Sequence, residues 1–254
     1  MIVLLAAAAG LVLFALPFVG LLQQANWSNL AADLGDDQSK TALRLSLTSS
    51  LAATAVIIVI GLPLAWLLAR ADLPGRSFLR GLVLLPMVLP PVVGGVALLS
   101  AFSLRSPIGG WLYDTFGLQL TFTVWGVILA EVFVAMPFFV ITVEAAFRNA
   151  DRRYEQVAAS LGASRFTVFR RVTLPMVLPS VAAGSVLAWA RALGEFGATI
   201  TFAGNIVGRT QTLPLAVYLK LEGDRDAAIA LSLVLLAVSF VVLVSLRDKW
   251  LVRS

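Results

Sequence analysis

The chain has 254 residues, 59% of them hydrophobic and only 13% charged, with a mean hydropathy of +0.93 and a formal charge of +5. Soluble domains carry roughly 25% charged residues, so the composition excludes one and places the chain in a bilayer. Cysteine and histidine are both absent, which excludes disulfides, thiolate chemistry and the usual zinc constellations; no nucleophile and base stand together as a membrane enzyme would need, and no catalytic or metal site is expected.

A hydrocarbon core about 30 Å thick takes helices of roughly 20 residues, and its lack of water favours helices over isolated strands. Ile2 to Leu22 is 21 residues without a charge, too long for a typical signal-peptide core, and reads as a retained first span. Leu45 to Ala69 is the second uncharged run. Gly81 to Leu104 is the third, and Pro86, Pro90, Pro91, Gly94 and Gly95 predict a kink or break near its start. These five residues either shape a gate or serve close helix contacts. The fourth span, about Phe122 to Phe147, contains Glu131 and Glu144; the fifth begins near Pro175 and runs past Arg191 and Glu195; the sixth is Ala227 to Leu246. The expected architecture is therefore all-α with six transmembrane helices. Residues 1–44 hold the first helix and an external loop, 45–246 the main membrane unit, and 247–254 a tail.

Twelve of the 19 basic residues fall on one side of these spans: Arg70, Arg76 and Arg80; Arg148, Arg152, Arg153, Arg165, Arg170 and Arg171; and Arg247, Lys249 and Arg253. Basic residues mark the cytoplasmic face, so both termini are expected inside. Their position in loops beside apolar spans points to the membrane surface and not to nucleic acid.

One cytoplasmic stretch is neither lipid-like nor low in complexity. In Tyr154 to Pro175, YEQVAASLGASRFTVFRRVTLP, good helix formers place Val157 and Leu161 on one face at i and i+4, and Ala158 and Ala159 keep the helix slim. Gly162 interrupts it, and Phe166, Phe169 and Val172 begin a second short helix with Arg165, Arg170 and Arg171 on its basic face. Two readings fit: a connector lying on the headgroups, or a knob offered to a partner's groove.

Gly162, nine residues and then Val172-x-Leu174-Pro175 resembles the cytoplasmic E-A-A-x3-G-x9-I-x-L-P motif of binding-protein-dependent ABC importer permeases. The three opening positions read Gln156, Val157 and Ala158, with Glu155 one place earlier, and Val172 replaces Ile. The resemblance implies the six-helix type I ABC importer fold and a coupling helix over about residues 151–172. It implies that Glu155, Gln156, Val157, Ala158, Leu161, Gly162, Ala163, Arg165 and Phe166 dock on a separate nucleotide-binding subunit. It further implies a multi-pass protein of the cytoplasmic (inner) membrane, embedded in lipid as a homodimer, served by two ABC ATPase subunits and an external oxyanion-binding protein. The chain has no Gly-x4-Gly-Lys-Ser/Thr phosphate loop; ATP and magnesium would be used by the partner, and this chain is expected to bind no cofactor and to be no enzyme by itself.

ARALGEFGATITFAGNIVGRTQ, residues 190–211, continuing to TLPLA, is similar to molybdate permeases of the ModB type and more loosely to sulfate and thiosulfate permeases. An oxyanion cargo follows from that similarity, with molybdate first and tungstate, sulfate or thiosulfate as alternatives; an ATP-independent channel or carrier is the competing class. Arg191 and Glu195 stand at i and i+4, where each can neutralise the other, either as a structural pair or on the translocation pathway. Gly194 and Gly197 flank Glu195 and can break the helix, exposing amides that suit an oxyanion. Thr199, Thr201 and Asn205 add neutral hydrogen-bond partners. Glu131 is a functional candidate by depth in the membrane or a hydrogen-bonded residue between helices, and Glu144 is expected to pair with Arg148.

Overall fold

Apolar runs bounded by charges become the long rods of the fold. The computed structural model describes residues 1–250, with side chains for all but residues 2, 243 and 245–250. In chain order its helices are α1 (Ile2–Gln23), α2 (Leu30–Gly35), α3 (Asp37–Arg70), α4 (Arg76–Val88), α5 (Pro91–Phe102), α6 (Pro107–Phe116) and α7 (Val124–Asn149). Then follow α8 (Arg152–Ser160), α9 (Arg165–Val168), a π turn (Phe169–Thr173), α10 (Leu174–Leu193), α11 (Gly197–Phe202), α12 (Leu213–Lys220) and α13 (Arg225–Trp250). Among the described residues, five stretches are long and apolar enough to cross a membrane, and α4 with α5 makes a sixth if that bent pair counts as one span. The basic tail ending at Arg253 lies outside the described residues, as do the side chains of Arg247 and Lys249.

The third span is broken, one of the two outcomes its prolines and glycines predicted. The axes of α4 and α5 differ by 119°, because Leu89 and Pro90 are extended and two successive prolines supply no amide donors. Pro91 then opens α5 at a position where a missing N–H costs nothing. Two boundaries differ from the sequence reading. The second span, α3, is 34 residues long, beginning at Asp37 because the Asp36 carboxylate accepts the Ser39 amide and caps it. The fifth span stops at Leu193, so it does not run past Glu195, which lies in the break before α11. The short helices α2, α6 and α12, read as connections from sequence, fold beside the outer ends of the spans.

The centre is a three-helix contact among α3, α7 and α10. Phe139 of α7 is fully buried there. A Cβ on Gly61 of α3 would come within 2.8 Å of its ring, and one on Gly184 of α10 within 3.3 Å. Small residues facing a large ring are how membrane helices gain close contact where lipid gives no hydrophobic drive. Nearer the outer end, the buried face of α3 turns polar, with Ser39, Ser46, Ser49 and Ser50 all almost fully enclosed. By contrast, most of α1 is exposed. An apolar groove of about 950 Å³ between α1, α2 and α13, lined by residues such as Phe18, Trp27, Leu34 and Phe240, offers lipid-like surface and no charged group for an anion.

Candidate functional site

The elbow between α7 and α10 is built residue by residue from local hydrogen bonds. Asp151 accepts the Arg153 amide at 2.9 Å and starts α8. At the other end Gly162 takes a left-handed φ of +86°, and the amides of Gly162 and Ala163 reach back to the carbonyls of Ala159 and Ala158, the usual way a glycine closes a helix. Ser164 then caps α9 by accepting the Thr167 amide at 3.3 Å. The sequence expectation of helix, glycine turn and helix holds, with α9 passing straight into the π turn.

The elbow turns apolar side chains outward. Tyr154, Val157, Leu161 and Phe166 are 61%, 60%, 83% and 71% exposed. Gln156 and Arg165 are also exposed, while Ala158 and Ala163 are half-buried. Glu155 alone among the docking candidates points its carboxylate inward, where it meets Arg70 of α3 at 3.1 Å and the Thr173 hydroxyl at 3.1 Å. A patch of large apolar groups on a polar segment marks an interaction surface.

The second group of candidates gathers where α5 crosses α11. A Cβ on Gly95 would lie 2.6 Å from Thr201 Cβ and 2.9 Å from the Ala198 carbonyl; one on Gly197 would lie 2.6 Å from Pro91 Cβ. The residues read as gate and those read as pathway therefore touch each other: Pro91 and Gly95 from the broken third span meet Gly197 and Thr201 from the broken fifth. Gly94 faces Phe133 of α7, whereas Pro86 is half-buried within α4 and Pro90 is exposed at the bend.

Glu195 is almost fully buried. One carboxylate oxygen meets Arg191 Nη1 at 2.7 Å, and the other accepts the Ala198 amide at 2.8 Å. The carboxylate thus occupies the start of α11, where the sequence reading left amides open for an oxyanion. Gly194 is exposed in the break, Thr201 donates to the Gly197 carbonyl at 2.8 Å, and Thr199 is buried. The Thr199 hydroxyl and the Asn205 side-chain carbonyl have no hydrogen-bond partner among the described residues.

The sequence marks Glu131 as a functional candidate or a hydrogen-bonded residue between helices, but not the polar partners around it. Glu131 accepts from Ser49 at 2.8 Å, Trp189 donates to Ser50 at 2.9 Å, the Leu213 amide donates to Ser46, and Gln38 donates to Gln211 at 2.8 Å. A polar seam along α3 thereby joins α7, α10 and the loop after α11. Its signal was legible: Ser39, Ser46, Ser49 and Ser50 share one helical face. Glu144 does pair with Arg148, at 3.8 Å, but a nearer partner is Arg80 of α4, a contact between helices that spacing along the chain does not reveal.

The class of protein follows from comparison with known sequences: the chain is a membrane component of a transport system. The sequence profile described as "Binding-protein-dependent transport system inner membrane component" matches residues 61–254, and the chain belongs to that family. It is 48% identical over 247 residues to the molybdenum transport system permease protein ModB of Mycobacterium tuberculosis, covering 97% of this chain and 93% of the relative. It is 37% identical to the sulfate transport system permease protein CysT of Escherichia coli K12, covering 89% and 82%. Among solved structures, a bacterial ABC transporter that imports the acidic polysaccharide alginate superposes with a TM-score of 0.76 at 21% identity, over 99% of this chain and 96% of that one.

Proposed function

We propose that this chain is the permease subunit of an ABC transporter that imports molybdate across the cytoplasmic membrane, forming the pathway while a separate subunit hydrolyses ATP. The carrying observation is the elbow: four large side chains exposed on α8, its turn and α9, in a segment whose Gly162 to Pro175 spacing resembles that of such permeases. A headgroup connector would direct its apolar face and its arginines in opposite senses toward the bilayer; here Tyr154, Val157 and Leu161 recur along the free face of α8, suited to a cleft on an ATPase subunit.

The working unit is a homodimer with two ATPase subunits and an external binding protein. Closure of the ATPase pair on ATP moves α8, and the spans switch between outward and inward openings. Molybdate enters from the binding protein on the outer face, where α5, α11 and the loop 203–212 lie. The buried hydroxyl of Thr199 and the Gln211 side-chain NH2, which have no partner among the described residues, are neutral donors suited to brief contact with an oxyanion, since a pathway must also release its cargo; at Asn205 the unpaired atom is the acceptor oxygen, so only its NH2 end can serve. Arg191, with its side chain 29% exposed beside Glu195, contributes positive potential without a free charge. The chain itself supplies no cofactor.

Identity is higher to the molybdate permease than to the sulfate permease, which ranks the cargoes. The test is uptake into proteoliposomes holding the assembled transporter and its binding protein, with labelled molybdate competed by tungstate and by sulfate. Molybdate uptake that needs ATP and resists excess sulfate is expected. Preference for sulfate would overturn the cargo, and uptake by this chain without an ATPase subunit would overturn the class.

A further inference from the structure

The neck of the elbow holds a charged tie that faces no partner. Glu155 Oε1 accepts from Arg70 Nη2 and from Thr173 Oγ1, each at 3.1 Å. Arg70 ends α3, its side chain is only 7% exposed, and the same Nη2 donates to the Ala150 carbonyl at 3.2 Å, just beyond the end of α7. Thr173 is buried and closes the π turn that leads into α10. One carboxylate oxygen therefore links α8 to two spans directly and, through Arg70, to a third. Around it the Phe169 ring of the π turn stacks with Phe147 of α7 at 6.5 Å and meets Trp66 of α3 edge-on at 6.4 Å.

Without this tie α8 is held to the membrane unit by its two ends, one of them the glycine turn, and by packing against the π turn. A push on its exposed face would then roll a nine-residue helix in place. With it, the helix cannot turn without carrying Arg70 and Thr173. A partly buried ion pair adds little net stability but fixes one geometry, and loss of either partner leaves an unpaired charge. The π turn beside it is a local departure from α-helical geometry of the kind found at functional sites.

We propose that Glu155 is a positioning residue: by binding Arg70 and Thr173 together it locks α8 to the inner ends of α3 and α10, so that displacement of the exposed face of α8 is delivered to both spans as one movement. The inference rests on the reading of α8 as the docking element for an ATPase subunit, and it moves Glu155 from the docking surface to the linkage behind it.

The experiment uses the complete transporter in proteoliposomes, measuring molybdate imported per ATP hydrolysed, with copurification of the ATPase subunit and thermal stability recorded for each variant. Glu155→Ala should lower the import-to-hydrolysis ratio by about 2- to 30-fold with the ATPase subunit still attached, and Glu155→Gln, which keeps an acceptor oxygen for Arg70 and Thr173, should restore most of it. If Glu155→Ala fails to accumulate, Thr173→Val carries the test: it removes one arm at constant shape, and a loss in the same direction is expected. Reduced stability with an unchanged ratio would make the tie merely structural and overturn the proposal, as would release of the ATPase subunit by Glu155→Ala. Leu161→Asp serves as the control for the docking reading. If it weakens ATPase-subunit binding, by about 30-fold for a central apolar anchor, while Glu155→Ala leaves the ratio intact, the linkage alone fails; if Leu161→Asp changes nothing, the docking reading itself falls.

Discussion

At the elbow, an added Cβ on Gly162 would meet open space, and only its φ of +86° calls for glycine; at the α5–α11 crossing, Gly95 and Gly197 leave no room at all, with neighbours 2.6 Å from where a Cβ would sit. The elbow places its apolar side chains outside and its hydrogen bonds inside, while the crossing does the reverse, closing on backbone and proline. A surface meant to receive another protein is kept open and held stiff from behind. A junction inside a membrane unit is closed by removing side chains, because lipid competes equally well for any apolar group. Glycine in this chain thus has two meanings, a backbone angle in one region and a missing volume in the other.

The largest effect should follow from filling the missing volume. Gly197→Val sets a branched side chain against Pro91 and the backbone of Val92, neither of which is the flexible end of a long side chain. Overpacking of this kind costs about 1–3 kcal/mol or more. Uptake should be lost together with thermal stability in detergent, and Gly95→Val should behave alike, since its Cβ would meet both Thr201 and the Ala198 carbonyl. Should either variant remain stable while only transport fails, the crossing would be a gate whose motion is blocked and not a fixed junction.

A smaller and different effect is expected at the elbow. Gly162→Val faces no clash but must hold a left-handed angle, a strain of about 1–2 kcal/mol, and relief of that strain would re-aim Leu161 and Phe166. The protein should still insert and remain folded, while ATP hydrolysis continues with less molybdate moved per turnover. Gly162→Asn, which tolerates the left-handed region, should come close to the parent in the same assay. Equal uptake by parent and Gly162→Val would count against the elbow as a coupling device. The pair of experiments separates the two meanings of glycine: at Gly197 any side chain should fail, and at Gly162 only those that refuse the angle.

The same contrast explains what the sequence made legible. The elbow is local: its cap, turn and apolar face lie within about 20 consecutive residues, so residue order alone predicts them. The broken third span was also foreseeable from Pro90 and Pro91, although not that its halves would diverge by 119°, because missing amide donors mark where a helix ends, while the angle depends on the backbone that Leu89 and Pro90 adopt. Contacts between distant segments stayed hidden. Nothing in the order of residues tells that Arg70 turns to Glu155, that Arg80 reaches Glu144, or that Gly95 and Gly197 face one another's helices. Glu195 shows the limit from another side: its pairing with Arg191 followed from spacing, but its second bond, to the Ala198 amide, exists only because the helix ends where it does.

The two ends of α3 carry the comparison to its smallest expected effect. At the inner end Arg70 is enclosed by its partners, whereas at the outer end Asp36 is exposed, accepts the Ser39 amide and lies 3.4 Å from Lys220 of α12. Slight burial would raise the Asp36 carboxyl, but the Ser39 amide and Lys220 outweigh it and hold the group below its ordinary value of 3.8. A carboxylate lowered by folding stabilises the folded state above its ordinary value and loses that contribution as pH falls through the lowered one. Acidification below about pH 4 should therefore loosen the first turn of α3 and its tie to α12. Amide exchange at Ser39, corrected for its intrinsic pH dependence, should speed up in that window alone. Asp36→Asn keeps a good helix cap while removing the titrating group, so its exchange should be flat across the same range; a parent profile as flat as the variant's would show that water screens the outer tie completely, while the ion pair of Arg70 at the enclosed inner end still holds α3.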